Sequence, residues 1–390
     1  MDFYLTKEQE LIKKVAREFA ENEFSRDLAR EIDVKEEFPW DLYKRACGLK
    51  LVRPSISEDY GGGGFGMVEE VIVHEEFTRV DSTIGQAVLS GPFGAKILAL
   101  YGSEAQKRNY LKRVLDGETV MFAAFTEPEH GSDITRLATT FHRKGEMWVL
   151  NGVKTFITNA PIAEFGIVLC QGGDDKSKPY RYQTMFLIES DMQGVDIVPM
   201  KGKMGQRGSP IGEVVLRNVE VSDEYIVGEV NRGFYQALNF FNYGRVRVAA
   251  NAVGMSLGAF DRALKYACER IQFDRPIIEF QAVSHRLAEM SQLIDAARLL
   301  TYRAAWYLDR GDTDPKTLSV VTSMAKRYAS EVAGWVIDNA IQVFGGYGYM
   351  SDFDIERYAR DARVLRIYEG TNEILNEVII NGIVKGDYTL

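Results

Sequence analysis

Residues 366–374 read RIYEGTNEI, with one carboxylate, Glu369, set behind the apolar pair Ile367 and Tyr368 and ahead of Gly370, Thr371 and Asn372. A solvated helix face needs neither the glycine nor the apolar residues before the acid. Two roles fit the residue types and their spacing. One is a glutamate in a helix-capping turn. The other is a carboxylate whose apolar surroundings disfavour its charged form and raise its pKa toward the range of a working general base.

Other stretches also carry groups able to bind or react. FTEPEHGSD, Phe125–Asp133, offers the Thr126 and Ser132 hydroxyls with backbone exposed at glycine and proline, suited to a polar ligand edge or a phosphate and equally to a plain loop. In NGVKTFITNA, Asn151–Ala160, strand alternation puts Phe156 and Thr158 on one face, which either joins a core or lies against a flat aromatic cofactor. FGGYGYM, Phe344–Met350, ends a helical run with glycines that either cap it or admit another backbone or a ligand. Arg245 in GRVRVA and Arg270 in CERIQF sit on helical runs, each able to meet a carboxylate or a phosphate. GGGGFG, residues 61–66, lacks the Lys-Ser/Thr ending of a phosphate-binding loop and the strand-to-helix context of a dinucleotide fingerprint, and it reads as a surface turn.

Composition narrows the classes. With 390 residues, 46% hydrophobic and 26% charged, the chain has room for two or three packed units. A net charge of -9 argues against broad attraction to nucleic acid or an anionic membrane, while leaving local basic sites for an anionic ligand. Cys47, Cys170 and Cys268 form no CxxC pair, and His74, His130, His142 and His285 do not pair at ligand spacing, so neither a disulfide framework nor a metal site is expected. The start, MDFYLTKEQELIKKV, has early acids and helical periodicity where a leader has a basic and then an apolar segment. No apolar run is long enough to span a bilayer, so no membrane insertion is expected, and the expected location is the cytoplasm or an organelle matrix.

Three regions of different pattern must position these residues, predicting an α+β multidomain chain. Residues 1–119 read as a helical domain: Thr6 and Gln9 have capping-box spacing, and Leu11, Val15 and Phe19 form a stripe at four-residue steps. Residues 120–230 read as a β-domain, an antiparallel sandwich or barrel, from runs such as FGIVLCQ, YQTMFLIES and GEVVLRNVEV, with GGDDKSKPY, Gly172–Tyr180, as a hairpin loop. Residues 231–390 read as a bundle of long amphipathic helices, with Val283, Leu287, Met290 and Ile294 on one buried stripe.

Through FTEPEHGSD, NGVKTFITNA, MGQRGSP, ERIQF, QVFGGYGY and RIYEGTNEI in that order, the chain resembles the acyl-CoA dehydrogenase family over essentially its full length. The resemblance implies an N-terminal helical domain, a central β-domain and a C-terminal four-helix domain. It also implies bound FAD, a homotetramer built as a dimer of dimers, and oxidation of an acyl-CoA thioester to the 2,3-enoyl-CoA, with electrons passed to an electron-transferring flavoprotein. Glu369 matches the base that takes the α-proton while the β-hydride passes to FAD. In the family the enolate is held by hydrogen bonds to the thioester carbonyl from the base's own N–H and from the flavin ribityl chain. Gly244 stands where isovaleryl-type and long-chain members carry their base, which leaves Glu369 as the candidate.

Further roles follow by position. Phe125, Thr126, Phe156 and Thr158 match residues around the isoalloxazine ring, and Ser132 matches a hydroxyl shared by cofactor and CoA phosphates. Arg270, Gln272 and Phe273, with Gln342, Gly345 and Gly346, match segments that reach the FAD of a neighbouring subunit, and Thr371 and Glu373 complete the cofactor contacts. Asn242 and Arg245 fall at the CoA arm and its support, Tyr368 and Gly370 beside the substrate, and Gln86, Leu89 and Phe93 at the acyl end. The chain departs from the family pattern with Phe156 for a common tryptophan and Asn242 for aspartate. No arginine lies between Asp81 and Ala95, where glutaryl-type members pair a distal carboxylate, so a dicarboxylyl substrate is disfavoured. The bulk of Leu89 and Phe93 points to a short, branched, cyclic or medium acyl group. An oxidase-like flavoenzyme on the same fold and a non-catalytic binding or assembly relative are the rival readings.

Overall fold

The computed structural model describes residues 4–173 and 177–389; residues 1–3 at the start of the expected leaderless segment, 174–176 within the expected hairpin loop, and 390 lie outside the described residues. The N-terminal helices are α1 (Lys7–Glu23), α2 (Arg26–Lys35), α3 (Trp40–Gly48), α4 (Met67–Val80), α5 (Ser82–Ser90), α6 (Ala95–Tyr101), α7 (Glu104–Gln106) and α8 (Lys112–Leu115). The predicted capping box opens α1: Thr6 Oγ1 accepts from Gln9 N at 3.2 Å, and Gln9 Oε1 accepts from Thr6 N at 3.0 Å. Its buried stripe differs from the expected one. Leu11 is exposed, while Ile12, Val15, Ala16, Phe19 and Ala20 face inward, because spacing by three and four from Ile12 follows the helical turn more closely than uniform steps of four.

The strands are β1 (Met121–Ala124), β2 (Thr140–Lys144), β3 (Met147–Thr158), β4 (Phe165–Gln171), β5 (Gln183–Glu189), β6 (Val195–Met200), β7 (Ile211–Val221) and β8 (Ile226–Val227), with the hairpin β9 (Ile271–Gln272) and β10 (Arg275–Pro276) inside the helical part. They form an open eight-stranded sheet in the order β6-β7-β3-β2-β4-β5-β8, with β1 paired to β4. The sheet is sandwich-like and not a closed barrel, and it is not wholly antiparallel: Met121–Ala124 run parallel to Phe165–Val168. The β2–β3 hairpin intervenes between these two segments, so the chain re-enters beside β1 in the same direction. Phe122 and Ala124 join one core with Phe19 and Phe77, while Met121 and Ala123 join another with Leu98 and Phe240. Both faces of the sheet centre are therefore covered, which is why β1, β4 and β5 read as continuous apolar runs.

The C-terminal helices are α9 (Gly233–Glu269), α10 (Gln281–Arg310), α11 (Pro315–Phe344), α12 (Ile355–Ala362) and α13 (Asn372–Val384). The stripe Leu287, Met290 and Ile294 is buried as predicted, with Val283 at its edge. α9, 37 residues long, is the spine, packed by α4, α10 and α11. A Cβ at Gly254 would stand 2.1 Å from Thr78 Oγ1 and 2.4 Å from Glu75 O, so only glycine lets α4 cross there. No helix among the described residues is long and apolar enough to cross a membrane.

Candidate active site

After α12 a 3-10 turn spans Arg363–Arg366, and the N–H groups of Ile367 and Tyr368 both close onto Val364 O at 2.8 and 3.1 Å. Glu369 and Gly370 then take φ of 54° and 91°, two successive left-handed residues that reverse the chain into α13. Thr371 is the cap of that helix, its Oγ1 accepting from Ile374 N at 3.3 Å. The capping function thus falls to Thr371, and the Glu369 side chain is left for something else. Glu373 is exposed one turn further on.

That side chain lies against α9. A Cβ built at Gly244 would stand 2.6 Å from Glu369 Oε2 and 2.8 Å from its Cδ, so the helix must be bare at this point. Oε2 is buried and has no hydrogen-bond partner among the described residues. Desolvation raises the Glu369 pKa to about 7, against the opposing pull of Arg245, Arg247 and Lys326. A carboxylate poised at that value can accept or return a proton at neutral pH.

Two buried cations act on Glu369, and one of them also holds the turn. Arg245, buried on α9, donates to Ser319 and Ser323 Oγ of α11 at 3.4 and 3.3 Å, and burial lowers its pKa to about 10. Lys326, wholly buried on α11, donates to Gly370 O at 2.7 Å and to Asn372 Oδ1 at 3.0 Å. The sequence reading missed Lys326. Its signal was its place on the buried stripe Thr322, Lys326, Ala329 and Ala333, where an unpaired lysine has no business. Asn242, also on α9, is buried with its Oδ1 accepting from Thr322 Oγ1 at 3.1 Å.

The MGQRGSP segment ties this turn to the sheet. Gln206 Nε2 donates to the Tyr368 hydroxyl at 3.4 Å, and Gln206 N donates to Asp361 Oδ1 at 2.5 Å. Pro210 O accepts from Asn159 N at 2.7 Å, just beyond β3. Asn159 Nδ2 in turn holds the carbonyls of Ser90, Gly91 and Met121 at 2.8, 3.0 and 3.1 Å, joining the end of α5 to the start of β1.

FTEPEHGSD and NGVKTFITNA come side by side. Lys154 Nζ donates to Phe125 O at 3.0 Å and to Glu127 Oε1 at 2.8 Å, and Thr155 N donates to Thr126 O at 2.9 Å. The β3–β7 register slips between Lys154 and Ile157, and in that bulge Phe156 takes φ of 59° and stands 61% exposed. Thr126 and Thr158 are half-buried beside it and Ser132 is exposed. Phe125 is buried, stacked on Phe240 at 5.8 Å and edge-on to Phe241 at 5.0 Å, and Phe93 meets Phe240 edge-on at 6.0 Å. Phe93 and Phe125 thus share one aromatic cluster with α9, signalled in sequence only by NFFNY ahead of GRVRVA. A phenylalanine held in a left-handed bulge with most of its ring bare carries backbone strain and exposed apolar area. A flat ring laid over it relieves the second and explains the first, so these residues fit a flavin.

Gln86 is buried on α5, its Oε1 accepting from Asn251 Nδ2 at 2.6 Å, and Leu89 is buried in the core shared by sheet and N-terminal helices. The remaining candidates lie apart. Arg270 ends α9 and stacks over the Tyr347 ring at 5.6 Å, which brings ERIQF to QVFGGYGY. Gln272, Phe273, Gln342, Gly345 and Gly346 are exposed around them, with Phe273 and Asp274 at φ of 51° and 61° forming the tip of the β9–β10 hairpin. Along α9, Arg270 is roughly 40 Å from Gly244 at the rise of an α-helix. One chain therefore does not bring this group to Glu369.

Models of known protein families match the chain in three consecutive parts: the acyl-CoA dehydrogenase N-terminal domain at residues 6–118, the middle domain at 123–219 and the C-terminal domain at 231–384. The 3-(aryl)acrylate reductase of Clostridium sporogenes is 40% identical, covering 98% of this chain and 100% of its own. The caffeyl-CoA reductase-Etf complex subunit CarC of Acetobacterium woodii is 36% identical over 98% of this chain and 100% of its own. Among solved structures, butyryl-CoA dehydrogenase from Megasphaera elsdenii superposes with a TM-score of 0.92 at 33% identity, covering 98% of this chain and 100% of that one.

Proposed function

The chain belongs to the acyl-CoA dehydrogenase family, FAD-dependent oxidoreductases acting on CH–CH bonds, and on that premise we propose that it interconverts an acyl-CoA and its 2,3-enoyl-CoA, with Glu369 moving the α-proton. The observation that carries this reading is the buried, unpartnered Oε2 of a carboxyl with a pKa of about 7, pressed against a helix that only glycine at position 244 leaves bare. Bound FAD supplies the hydride acceptor for the β-carbon. Phe156, with Thr126 and Thr158, receives its ring, and Phe125 backs that wall. Ser132 meets phosphates of cofactor and CoA. The thioester carbonyl is received by the N–H of Glu369, which has no backbone acceptor among the described residues. Asn242 and Arg245 support the site from α9, and Thr371 and Glu373 stand at the cofactor end of the turn.

Arg270, Gln272, Phe273, Gln342, Gly345 and Gly346 serve the FAD of another subunit in a dimer of dimers, which accounts for their exposure and their distance from Glu369. An electron-transferring flavoprotein is the proposed redox partner, a reading supported by the Etf complex to which one relative belongs. Replacing Glu369 by Gln keeps size and removes the base. The expected result is an FAD-loaded protein whose flavin is bleached by acyl-CoA at least about 100-fold more slowly. Bleaching at an unchanged rate would place the base elsewhere.

A second reading concerns direction. Two of the relatives at 40% and 36% identity are named reductases, and a carboxyl half-protonated near pH 7 serves equally well as an acid. Anaerobic reoxidation of the dithionite-reduced protein by a 2-enoyl-CoA, faster than bleaching by the saturated thioester, selects this direction. Rapid reoxidation by air alone selects the oxidase.

A further inference from the structure

The bare face of α9 that begins at Gly244 continues with Arg247 one turn on and Asn251 another turn further. At the rise of an α-helix these lie roughly 4.5 and 10 Å along α9 from Gly244, which faces the carboxyl of Glu369. Asn251 Oδ1 meets His74 Nδ1 at 2.8 Å, and its Nδ2 holds Gln86. Arg247 Nε donates to Glu70 Oε1 at 2.5 Å, but its Nη2 is buried with no acceptor among the described residues. Arg247 is 8% exposed and Glu70 0%.

The groups around this pair deepen the imbalance. Arg53, 4% exposed, gives its Nη groups to Val52 O and Leu89 O, both at 2.8 Å, and its Nε is also without a partner among the described residues. Lys96 reaches in from α6, over the Tyr243 ring at 4.6 Å. Burial keeps His74 neutral, with a pKa of about 3. Asp309 approaches from α10 but accepts from the N–H groups of Met67 and Val68. Ser55 N and Oγ donate to Glu70 Oε2, and the Asp309 and Lys96 charges oppose each other, so Glu70 is left facing two guanidinium groups, one more than it can balance. A buried donor without an acceptor is destabilising, and so is a buried excess of one charge.

We infer that this cluster is the far end of the acyl site and that the substrate's acyl group ends in an oxygen acceptor, a carboxylate or a hydroxyl, which Arg247 Nη2 binds. The inference rests on the acyl-CoA reading above and names its substrate class. It also revises the expectation drawn from residues 81–95. The arginine missing from that loop arrives from α9, and Arg53 reaches the loop's own carbonyl at Leu89.

The test uses five-carbon acyl-CoA thioesters that end in methyl, hydroxyl or carboxylate, with the FAD-loaded protein. An oxygen-ended thioester is expected to bleach the flavin with a kcat/KM about 10- to 100-fold above the methyl-ended one. Whichever of the two oxygen-ended thioesters wins identifies the acceptor. In Arg247→Gln the ratio falls toward one. Because that change strands Glu70, the double variant Glu70→Gln with Arg247→Gln is measured beside it and should lose the ratio as well. Dissociation constants from calorimetry on Glu369→Gln, which does not turn over, should rank the thioesters in the same order. Equal or better use of the methyl-ended thioester by the wild-type protein overturns the inference and leaves the dehydrogenase reading standing. If no thioester bleaches the flavin, the underlying reading fails, and the calorimetric order alone decides whether Arg247 selects oxygen.

Discussion

Glu369 combines a capped turn with a carboxyl that folding has desolvated. Its pKa moves from 4.5 to about 7 in the folded chain. The folded state therefore holds a proton that the unfolded state has released between those values, and stability falls as pH rises from about 4.5 through 7. At about 1.4 kcal/mol per unit the loss is at most about 3 kcal/mol. Glu369→Gln should unfold at a higher temperature than wild type at pH 8 and at a similar one at pH 4.5, read from melting curves of the FAD-loaded proteins. The rate of flavin reduction by acyl-CoA should rise with pH through about 7 as the carboxylate forms, read by stopped flow. Gly244→Ala places a methyl 2.6 Å from Oε2. The carboxyl must swing away, and flavin reduction should slow by roughly 10- to 100-fold while the yellow colour is retained.

At the scale of elements, α11 positions the turn through Lys326, and the β3 bulge positions Phe156. Lys326→Met leaves Gly370 O without its buried donor and Asn372 Oδ1 with Ser330 Oγ alone, an expected loss of about 2 kcal/mol in denaturant unfolding. Lys326 also holds the Glu369 pKa down. Its removal should move the rising limb of the rate profile to higher pH, a shift that a purely structural role does not produce. Phe156 sits at φ of 59° with little to pack against. Phe156→Gly should stabilise the FAD-free chain by about 1 kcal/mol by releasing the left-handed strain, and should weaken FAD binding about tenfold. Melting of the apoprotein and fluorescence titration with FAD measure the two effects separately.

For the whole molecule, the docking of its parts builds the site. Asp361 of α12 accepts from Ser82 and Thr83 of α5 at 2.7 and 2.6 Å, and Arg357 meets Asp81 at 2.8 Å, so the turn after α12 is fixed relative to α5. At the far end of α9 the surface is apolar and open: Phe273 is 88% exposed and Tyr349 85%. A surface of this kind is expected to be covered in the assembly. Phe273→Asp should shift sedimentation to smaller species and lower the FAD content, whereas unchanged sedimentation would assign those side chains to solvent.

The order helical, β, helical was legible in the chain because periods of 3.6 and 2 are local properties of the residues. The capping box at Thr6, the buried stripe on α10 and the isolation of Glu369 in RIYEGTNEI were equally local. What the sequence could not reveal depends on which surfaces meet. The parallel pairing of β1 with β4, the inward turn of α1 at Ile12 instead of Leu11, and the support of Gly370 by Lys326 across 44 residues all belong to this class. So does the place of Arg247, which folding brings from α9 onto Glu70 of α4, 177 residues earlier in the chain. Residue types and spacing set which groups are available for chemistry, but burial and charge balance belong to the packed state, and only packing could raise the pKa of one carboxyl to about 7 and leave Arg247 Nη2 without an acceptor among the described residues.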